Sequence, residues 1–261
     1  MKGTFLDKII EAKRIRIDKA KADSDLVLLA EQAARSDAGR FRNALSNRSR
    51  VNIIAEFKRA SPSKGIINDQ IDPEITVQKY QNGGAAAISV LTEEDFFRGS
   101  SDDLAAIRNA VALPILRKDF IVDEFQIYES AAFEADAILL IVAALSVDEL
   151  LRFHTLSSTL GLDALVEVHD LDELKIASDI GATLIGVNNR NLKTFEVTLD
   201  VSRELIASAP KDAIMVSESG IRTKEDVDEL SSLGYSGFLI GETLMKSDDV
   251  MSEMRKLIAL S

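Results

Sequence analysis

Short apolar segments recur along the chain from about residue 51 onward, at intervals of roughly 20 to 35 residues. Each segment is almost continuously apolar, which is typical of parallel strands that are covered on both faces. The pattern therefore predicts eight β-strands. They lie at residues 51–58, 85–91, 114–118, 137–142, 164–168, 183–188, 213–218 and 237–241.

The segments between these strands are amphipathic and carry signals for the start and end of helices. Asp72-Pro73-Glu74 places proline at a first helical position. Residues 146–149 (SVDE) and 223–226 (TKED) have the pattern of capping boxes. Helices that alternate with strands at this spacing predict repeated βα units. The glycines expected to end helices are Gly161, Gly181 and Gly234.

Eight βα units predict a (β/α)8 barrel of the TIM type. A doubly wound open sheet uses the same units and is the main alternative, but the chain lacks the Gly-x-Gly-x-x-Gly opening of a dinucleotide-binding sheet. Residues 6–13 and 26–33 have helical spacing, so residues 1–48 are interpreted as an N-terminal helical extension packed on the barrel. No linker-like composition separates the extension, and we expect a single domain over residues 1–261.

Charged residues occur on the strand faces that otherwise point into the barrel. Side chains two residues apart share a face, so Glu56 and Lys58 project to the side of Ile54. The same parity groups Leu116 with Lys118 and Phe120. It also groups Leu165 with Glu167, Gly186 with Asn188 and Arg190, and Val216 with Glu218.

A barrel interior accepts such groups at the carboxyl ends of its strands, where the βα loops form active sites. Lysines and carboxylates at close range shift one another's pKa toward values useful for proton transfer. The structural alternative is a ring of salt bridges that merely closes the barrel. Convergence of five strands on one rim favours the functional interpretation.

Small residues end the seventh and eighth strands, at Ser217-Glu218-Ser219-Gly220 and at residues 240–243 (IGET). Backbone N–H groups can approach an anion there, and loops seven and eight are the usual phosphate site of barrels. The loop of residues 59–65 (RASPSKG) after the first strand adds cations, hydroxyls and a segment able to close over a ligand.

Composition narrows the classes of function. The net charge of −12 argues against a general nucleic-acid binder, and the longest apolar run, residues 137–145, is too short to cross a membrane. The chain has no cysteine and two histidines, so neither a metal site nor a cofactor is expected. His169 shares a face with Glu167 and is interpreted as an ordinary hydrogen-bonded side chain. No signal peptide is evident at the N-terminus, which favours the cytoplasm.

Seven motifs, in order along the predicted barrel, resemble the indole-3-glycerol phosphate synthase family. The N-terminal helical extension resembles that of the family as well, and the first and third motifs are highly specific to it. The motifs are residues 54–63 (IAEFKRASPS), 91–100 (LTEEDFFRGS), 116–121 (LRKDFI), 165–169 (LVEVH), 186–192 (GVNNRNL), 217–221 (SESGI) and 240–245 (IGETLM).

The resemblance implies ring closure of 1-(2-carboxyphenylamino)-1-deoxyribulose 5-phosphate, with loss of carbon dioxide and water. Lys118 would be the general acid at the ketone, and Glu167 would assist proton transfer. Lys58 and Glu56 would hold the substrate on its carboxylate and phosphate side and take part in proton transfer. The remaining implied contacts are Asn188, Arg190, Glu218 and Ser219 for the substrate, and Ser61, Gly220, Gly241 and Glu242 for the phosphate.

The apolar wall of the implied site and the residue at its phosphate end can also be identified in the sequence. An aromatic substrate needs an apolar wall, for which Phe97, Phe120 and Leu139 are candidates. The family often has serine at the position of Glu242, which preserves a backbone contact to phosphate but not a hydroxyl contact.

Three other functions remain open. They are a class I aldolase in which Lys118 forms a Schiff base, a phosphoribosyl isomerase, and a catalytically silent barrel that binds a phosphorylated ligand. Such an isomerase would carry a Cys/Asp or an Asp/Asp pair at its strand ends, and the chain has no cysteine. Apart from a small phosphorylated substrate no partner is expected, and the chain is expected to be a monomer or a weak homo-oligomer.

Overall fold

The computed structural model describes residues 4–23, 28–29, 38–62, 65–67 and 71–259. Eight parallel strands form a closed barrel in which each strand pairs with its neighbours in chain order, and β8 pairs with β1. The strands are β1 Asn52–Phe57, β2 Ala87–Leu91, β3 Ile115–Lys118, β4 Ala137–Ile141, β5 Asp163–Val168, β6 Leu184–Asn188, β7 Ile214–Glu218 and β8 Gly237–Ile240.

Helices follow the strands and surround the barrel. Asp72 caps the helix that Pro73 begins, both predicted capping boxes are formed, and Gly161, Gly181 and Gly234 adopt positive φ where helices end. The helices are α1 Phe5–Asp23, α2 Arg40–Leu45, α3 Pro73–Gly83, α4 Ser101–Ala110, α5 Glu124–Ala132, α6 Val147–Thr159, α7 Leu171–Asp179, α8 Asp200–Leu205, α9 Lys224–Leu233, α10 Glu242–Met245 and α11 Val250–Ile258.

The alternation of side chains along each strand divides the buried residues into two cores. Ile53, Ala55 and Phe57 of β1 face the helices, in the layer between the sheet and its surrounding helices. Ile54 faces the barrel interior, where apolar side chains from the other strands meet it. The predicted barrel and the predicted inward face of β1 are both confirmed.

The N-terminal extension contacts the barrel at both ends. α2 closes the amino-terminal end, where Phe41 and Leu45 insert fully buried into the interior core. α1 contains the predicted helix at residues 6–13 and packs against α5. The predicted helix at residues 26–33 lies outside the described residues except at positions 28 and 29, which are helical. In the described ranges, no helix combines the length and apolar character needed to span a membrane.

A buried carboxylate fixes α2 and α4 to the amino-terminal end of the barrel. Asp136, which precedes β4, accepts hydrogen bonds from Arg40 Nη1 and Arg108 Nη1, each at 2.9 Å. Its Oδ2 also accepts the backbone N–H of Ile115 at 2.8 Å. The Asp136 carboxylate therefore binds two arginine side chains and one backbone N–H group.

Replacing Asp136 with alanine should lower the free energy of unfolding by roughly 3–5 kcal/mol, because the largely buried guanidinium of Arg108 loses a counter-charge and the buried N–H of Ile115 loses its acceptor. Urea titration followed by far-ultraviolet circular dichroism measures this loss. Glu253→Ala is the matched control, since Glu253 pairs with the exposed Lys256 at 3.2 Å. Equal losses in the two variants would show that the Asp136 cluster contributes no more than a surface ion pair.

Candidate active site

The carboxyl ends of five strands deliver polar side chains to the upper layer of the barrel interior. β1, β3, β5, β6 and β7 contribute Glu56, Lys118, Glu167, Asn188 and Glu218. Each lies two residues beyond an interior-facing residue of its own strand, as the parity predicted. Because parallel strands end on the same rim, side chains from distant parts of the sequence meet there.

Lys118 lies between two carboxylates. Its Nζ is 3.4 Å from Glu56 Oε2 and 3.5 Å from Glu218 Oε2. Glu56 Oε1 also accepts a hydrogen bond from Lys58 Nζ. Burial opposes both charges, but the two lysines lower the pKa of Glu56 to about 2, and the carboxylates raise the pKa of Lys118. The pair is therefore ionised throughout the physiological pH range.

Glu218 lies in a different environment. Its side chain is fully buried, and neither carboxylate oxygen has a hydrogen-bond partner among the described residues. Burial and the negative charge of Glu167 outweigh Lys118 and raise the pKa of Glu218 to about 8. The space it occupies depends on Gly186, where an added Cβ would lie 2.1 Å from Glu218 Oε1. Glu218 therefore favours the neutral acid at neutral pH.

Glu167 enters the site beside His169 and Asn188. His169 Nε2 is 3.3 Å from Glu167 Oε1. Burial would raise the pKa of Glu167, but the neighbouring His169, Lys118 and Asn188 outweigh it and lower that pKa. Glu167 is thus a carboxylate able to accept a proton, whereas Glu218 tends to hold one.

A cleft opens above these groups, with about 1130 Å³ of space including its mouth. Phe97, Phe120 and Leu139 line it, and the two phenylalanine ring centroids are 6.2 Å apart. The cations at the cleft are Lys58, Lys118 and Arg190. Among the described residues, no cluster of three histidine, aspartate or glutamate side chains is arranged to hold a metal ion.

The anion-binding end predicted after β7 and β8 also borders the cleft. Ser219 and Gly220 adopt positive φ values of 65° and 85°, which bend the backbone sharply at the end of β7. Gly241 follows β8 closely above Glu56, where an added Cβ would lie 2.3 Å from Glu56 Oε1. The Glu242 carboxylate is paired with Lys246 Nζ at 2.6 Å, which offsets a negative charge at this end.

Fourteen of the predicted site residues line one cleft, and one does not. Glu218 is absent from the lining of the described cleft and lies beneath Lys118. The contact of Glu218 with substrate stays a prediction, and its carboxylate lies 3.5 Å from Nζ of Lys118, which does line the cleft. The residues that line the cleft are Glu56, Lys58, Ser61, Phe97, Lys118, Phe120, Leu139, Glu167, Asn188, Arg190, Ser219, Gly220, Gly241 and Glu242.

α1 supplies a wall of the cleft that sequence reasoning missed. Phe5, Leu6 and Ile9 line it, and the Phe5 ring packs edge-on against Phe96 at 5.3 Å and Phe195 at 5.2 Å. These contacts join the N-terminal helix to the loops after β2 and β6. Apolar spacing in residues 5–9 indicates a packed helix face, but nothing local in the sequence shows which surface that face covers.

A second ionic cluster fixes α1 to the strand that carries Lys118. Lys13 Nζ lies 2.9 Å from Asp119 Oδ1 and 2.8 Å from Glu94 Oε2. Burial opposes the charge of Lys13, but these carboxylates outweigh it and raise its pKa. Asp119 also accepts hydrogen bonds from Thr92 Oγ1 at 2.7 Å and from its neighbour's backbone N–H. The position of α1 is therefore coupled to the end of β3.

Comparison with known proteins agrees with this geometry. Residues 6–257 match the family model described as indole-3-glycerol phosphate synthase. The chain belongs to this family.

Proteins with the family's name are close to this chain in sequence. An indole-3-glycerol phosphate synthase from Carboxydothermus hydrogenoformans is 46% identical over 98% of this chain and 100% of the relative. One from Chloroherpeton thalassium is 49% identical over 94% of this chain and 96% of the relative. The structure of 3-hexulose-6-phosphate synthase from Salmonella typhimurium has a TM-score of 0.64, covers 79% of this chain and 96% of its own, and is 15% identical, so it shows the shared barrel alone.

In this member of the synthase family, Lys13→Met should loosen α1, because Asp119 and Glu94 lose a buried counter-charge. Amide exchange in residues 5–23, followed by mass spectrometry, should accelerate by about tenfold or more. Lys21→Met is the control, since Lys21 forms an exposed pair with Asp123 at 2.6 Å. Equal exchange in the two variants would mean that α1 is held by its apolar face alone.

The raised pKa of Glu218 predicts that this residue lowers the stability of the fold more and more as pH rises. Between the ordinary carboxyl value of 4.5 and about 8, the folded state binds a proton that the unfolded state releases. The stability of the wild type should therefore fall as pH rises through this window. Glu218→Gln lacks the titrating group, so its melting temperature should gain on the wild type across the same window. Parallel curves of melting temperature against pH would contradict a raised pKa, and Glu253→Gln provides the control.

Proposed function

We propose that this protein is an indole-3-glycerol phosphate synthase of tryptophan biosynthesis, active in the cytoplasm as a monomer or weak homo-oligomer. It closes the pyrrole ring of 1-(2-carboxyphenylamino)-1-deoxyribulose 5-phosphate and releases carbon dioxide and water. The observation that carries the proposal is that Lys118 and Glu167 line one cleft together with Phe97, Phe120 and the turns after β7 and β8.

The first step requires a proton donor at the substrate ketone. The ring carbon that bears the carboxylate attacks the ketone carbon, and the carbonyl electron pair moves to oxygen. The ammonium of Lys118 stabilises and protonates that oxygen. Its raised pKa keeps the ammonium charged before the reaction, and Glu56 and Glu218 hold it in place.

Decarboxylation and dehydration complete the reaction. The bond to the carboxyl carbon breaks, and its electron pair restores the aromatic ring. The new hydroxyl takes a proton from the ammonium of Lys58 and leaves as water, and Glu167 takes the proton lost from the adjacent carbon. That proton and one from solvent then restore the two lysines. A lowered pKa suits Glu167 for this role because the carboxylate form is the base. The chemistry uses the substrate's own electrons, so no cofactor forms part of the proposal.

The remaining cleft residues orient the substrate. Phe97, Phe120 and Leu139 contact its aromatic ring, while Lys58 balances its carboxylate. Asn188 and Arg190 bind the hydroxylated chain; Asn188 is itself held by the backbone N–H of Arg190, which donates to its Oδ1 at 3.0 Å. The backbone at Ser219, Gly220, Gly241 and Glu242, with Ser61, surrounds the phosphate. A backbone contact at Glu242 does not require the serine often found at that position in the family.

A Schiff-base aldolase is disfavoured by the electrostatics of Lys118. Attack on a carbonyl requires the neutral amine, and two neighbouring carboxylates favour the ammonium. Borohydride added with substrate should therefore trap no covalent adduct on the chain. An increase in mass by the reduced substrate would instead support the aldolase.

The direct test follows indole fluorescence with the anthranilate-derived ribulose phosphate as substrate. The wild type should form product, and Lys118→Met should lower kcat by about 10³-fold or more, because the ketone oxygen loses its proton donor. The melting temperature should change little, since Glu56 retains Lys58 and Glu218 can take up a proton. Lys211→Met, at an exposed position, is the control.

Two outcomes would count against the proposal. A wild type that binds the substrate without forming indole product would favour a catalytically silent barrel. Unfolding of Lys118→Met would favour the interpretation of the charged layer as a structural ring.

A further inference from the structure

A histidine outside the cleft connects the interior carboxylate Glu167 to the surface. His169 lies two residues beyond Glu167 on the same face, with Nε2 3.3 Å from Glu167 Oε1, a separation that allows an ion pair although Nε2 makes no hydrogen bond among the described residues. Its Nδ1 lies 3.0 Å from Glu173 Oε2. Side-chain exposure rises along this row, from 3% at Glu167 to 13% at His169 and 18% at Glu173. His169 is not among the described residues that line the cleft.

The start of α7 holds this imidazole in place. Asp170 caps the helix and accepts the backbone N–H of Glu173 at 2.9 Å. Glu173 in turn reaches back to the backbone N–H of His169 at 2.8 Å, with the same oxygen that faces Nδ1. The imidazole ring is therefore held by Glu173, which the start of α7 positions. With a carboxylate at each nitrogen, the geometry favours the doubly protonated imidazolium.

We propose that His169 is a positioning residue for Glu167, which it orients and maintains as a carboxylate through an imidazolium that Glu173 holds from the other side. The inference rests on the proposed function, in which Glu167 is the base. It assigns a role to a residue that is not among the described lining of the cleft.

Other groups also act on Glu167, and they do not replace His169. Lys118 from β3 and Asn188 from β6 favour the carboxylate, whereas Glu218 from β7 is itself shifted toward its neutral form by burial and by the charge of Glu167. Lys118 does not replace His169, because its charge also acts on Glu56 and Glu218. Glu167 itself is buried. Burial lowers the pKa of His169, but Glu167 and Glu173 outweigh it and raise that pKa to about 10. His169 thus remains a cation through neutral pH.

A purely structural role would be limited to the start of α7. In that case, loss of the imidazole would lower stability, and with it the amount of active protein, without changing the pH at which Glu167 gains a proton. The acid limb of the rate profile separates the two roles, because the base must be unprotonated to act. Removing an opposite charge at this distance raises the pKa of a carboxyl group.

The test compares His169→Leu and His169→Gln with His154→Gln, which alters the other histidine of the chain. Profiles of kcat against pH are measured by indole fluorescence. The acid limb of His169→Leu should move up by roughly one to three pH units. KM should change less than kcat, because His169 is not among the described lining of the cleft. The control should keep the wild-type profile.

His169→Gln separates orientation from charge. Glutamine retains an N–H donor for Glu167 but carries no charge. It should recover part of the kcat lost in the leucine variant while its acid limb remains displaced. If the glutamine variant restored the wild-type limb, the imidazolium charge would not be required.

Imidazole NMR gives a readout independent of activity. The chain has two histidines, so His154→Gln assigns both signals. In the wild type, His169 should remain protonated well above neutral pH, and Glu173→Gln should lower its titration midpoint toward the ordinary value. Titration of wild-type His169 near its ordinary pKa would overturn the proposal even if the leucine variant failed to fold.

The failures of the two proposals can be told apart. Absence of indole product from the wild type would overturn the proposed function. An active wild type beside a folded His169→Leu with an unshifted acid limb would overturn the role of His169 alone.

Discussion

The upper layer of the barrel interior is governed by the cost of burying charge. An ionised group there must find a counter-charge or lose its ionisation. Glu56, Lys58 and Lys118 satisfy this requirement as an alternating set of opposite charges. Glu218 has the Lys118 ammonium nearby, which also pairs with Glu56, and its carboxylate oxygens make no hydrogen bond within the described residues. The pKa of Glu218 therefore rises. One constraint thus produces both a fixed cation and a set of carboxylates with different proton affinities.

The proposed chemistry uses one member of this set, Glu167, as its base. Similar acids acquire different proton affinities when their surroundings move their pKa values apart. Glu56 and Glu167 are held as carboxylates, whereas Glu218 favours its proton, although all three lie in one layer. Gly186 contributes by leaving the space that Glu218 occupies, and a side chain there would displace the carboxylate.

The alternation of β3 connects the site to the rest of the fold. Lys118 points into the barrel, while Arg117 and Asp119 on either side point outward into a separate ionic cluster. That cluster includes Lys13, so the helix whose Phe5 borders the cleft is tied to the strand that carries the central lysine. The site and its N-terminal wall therefore share one rigid support.

Local rules in the sequence were enough for the barrel and for much of the site. Continuous apolar segments predicted all eight strands, and the two-residue period predicted that Glu56, Lys118 and Glu167 face inward. Both rules depend on neighbours along the chain, as do the capping boxes at residues 146–149 and 223–226. The end of each parallel strand then identifies the rim on which these groups meet.

The tertiary structure alone decided which of these groups contact one another and which are hidden. Parity places Glu218 on the inner face, but its burial beneath Lys118 depends on Gly186 from another strand. Likewise, the sequence pattern is enough to place Phe5 and Lys13 on a helix. Their contacts with Phe195 and Asp119, however, join residues more than a hundred positions apart. Such contacts are set by the closure of the barrel and the packing of α1 against it. A pattern read along the chain encodes the face of each element, whereas the partner of that face exists only once the elements pack together.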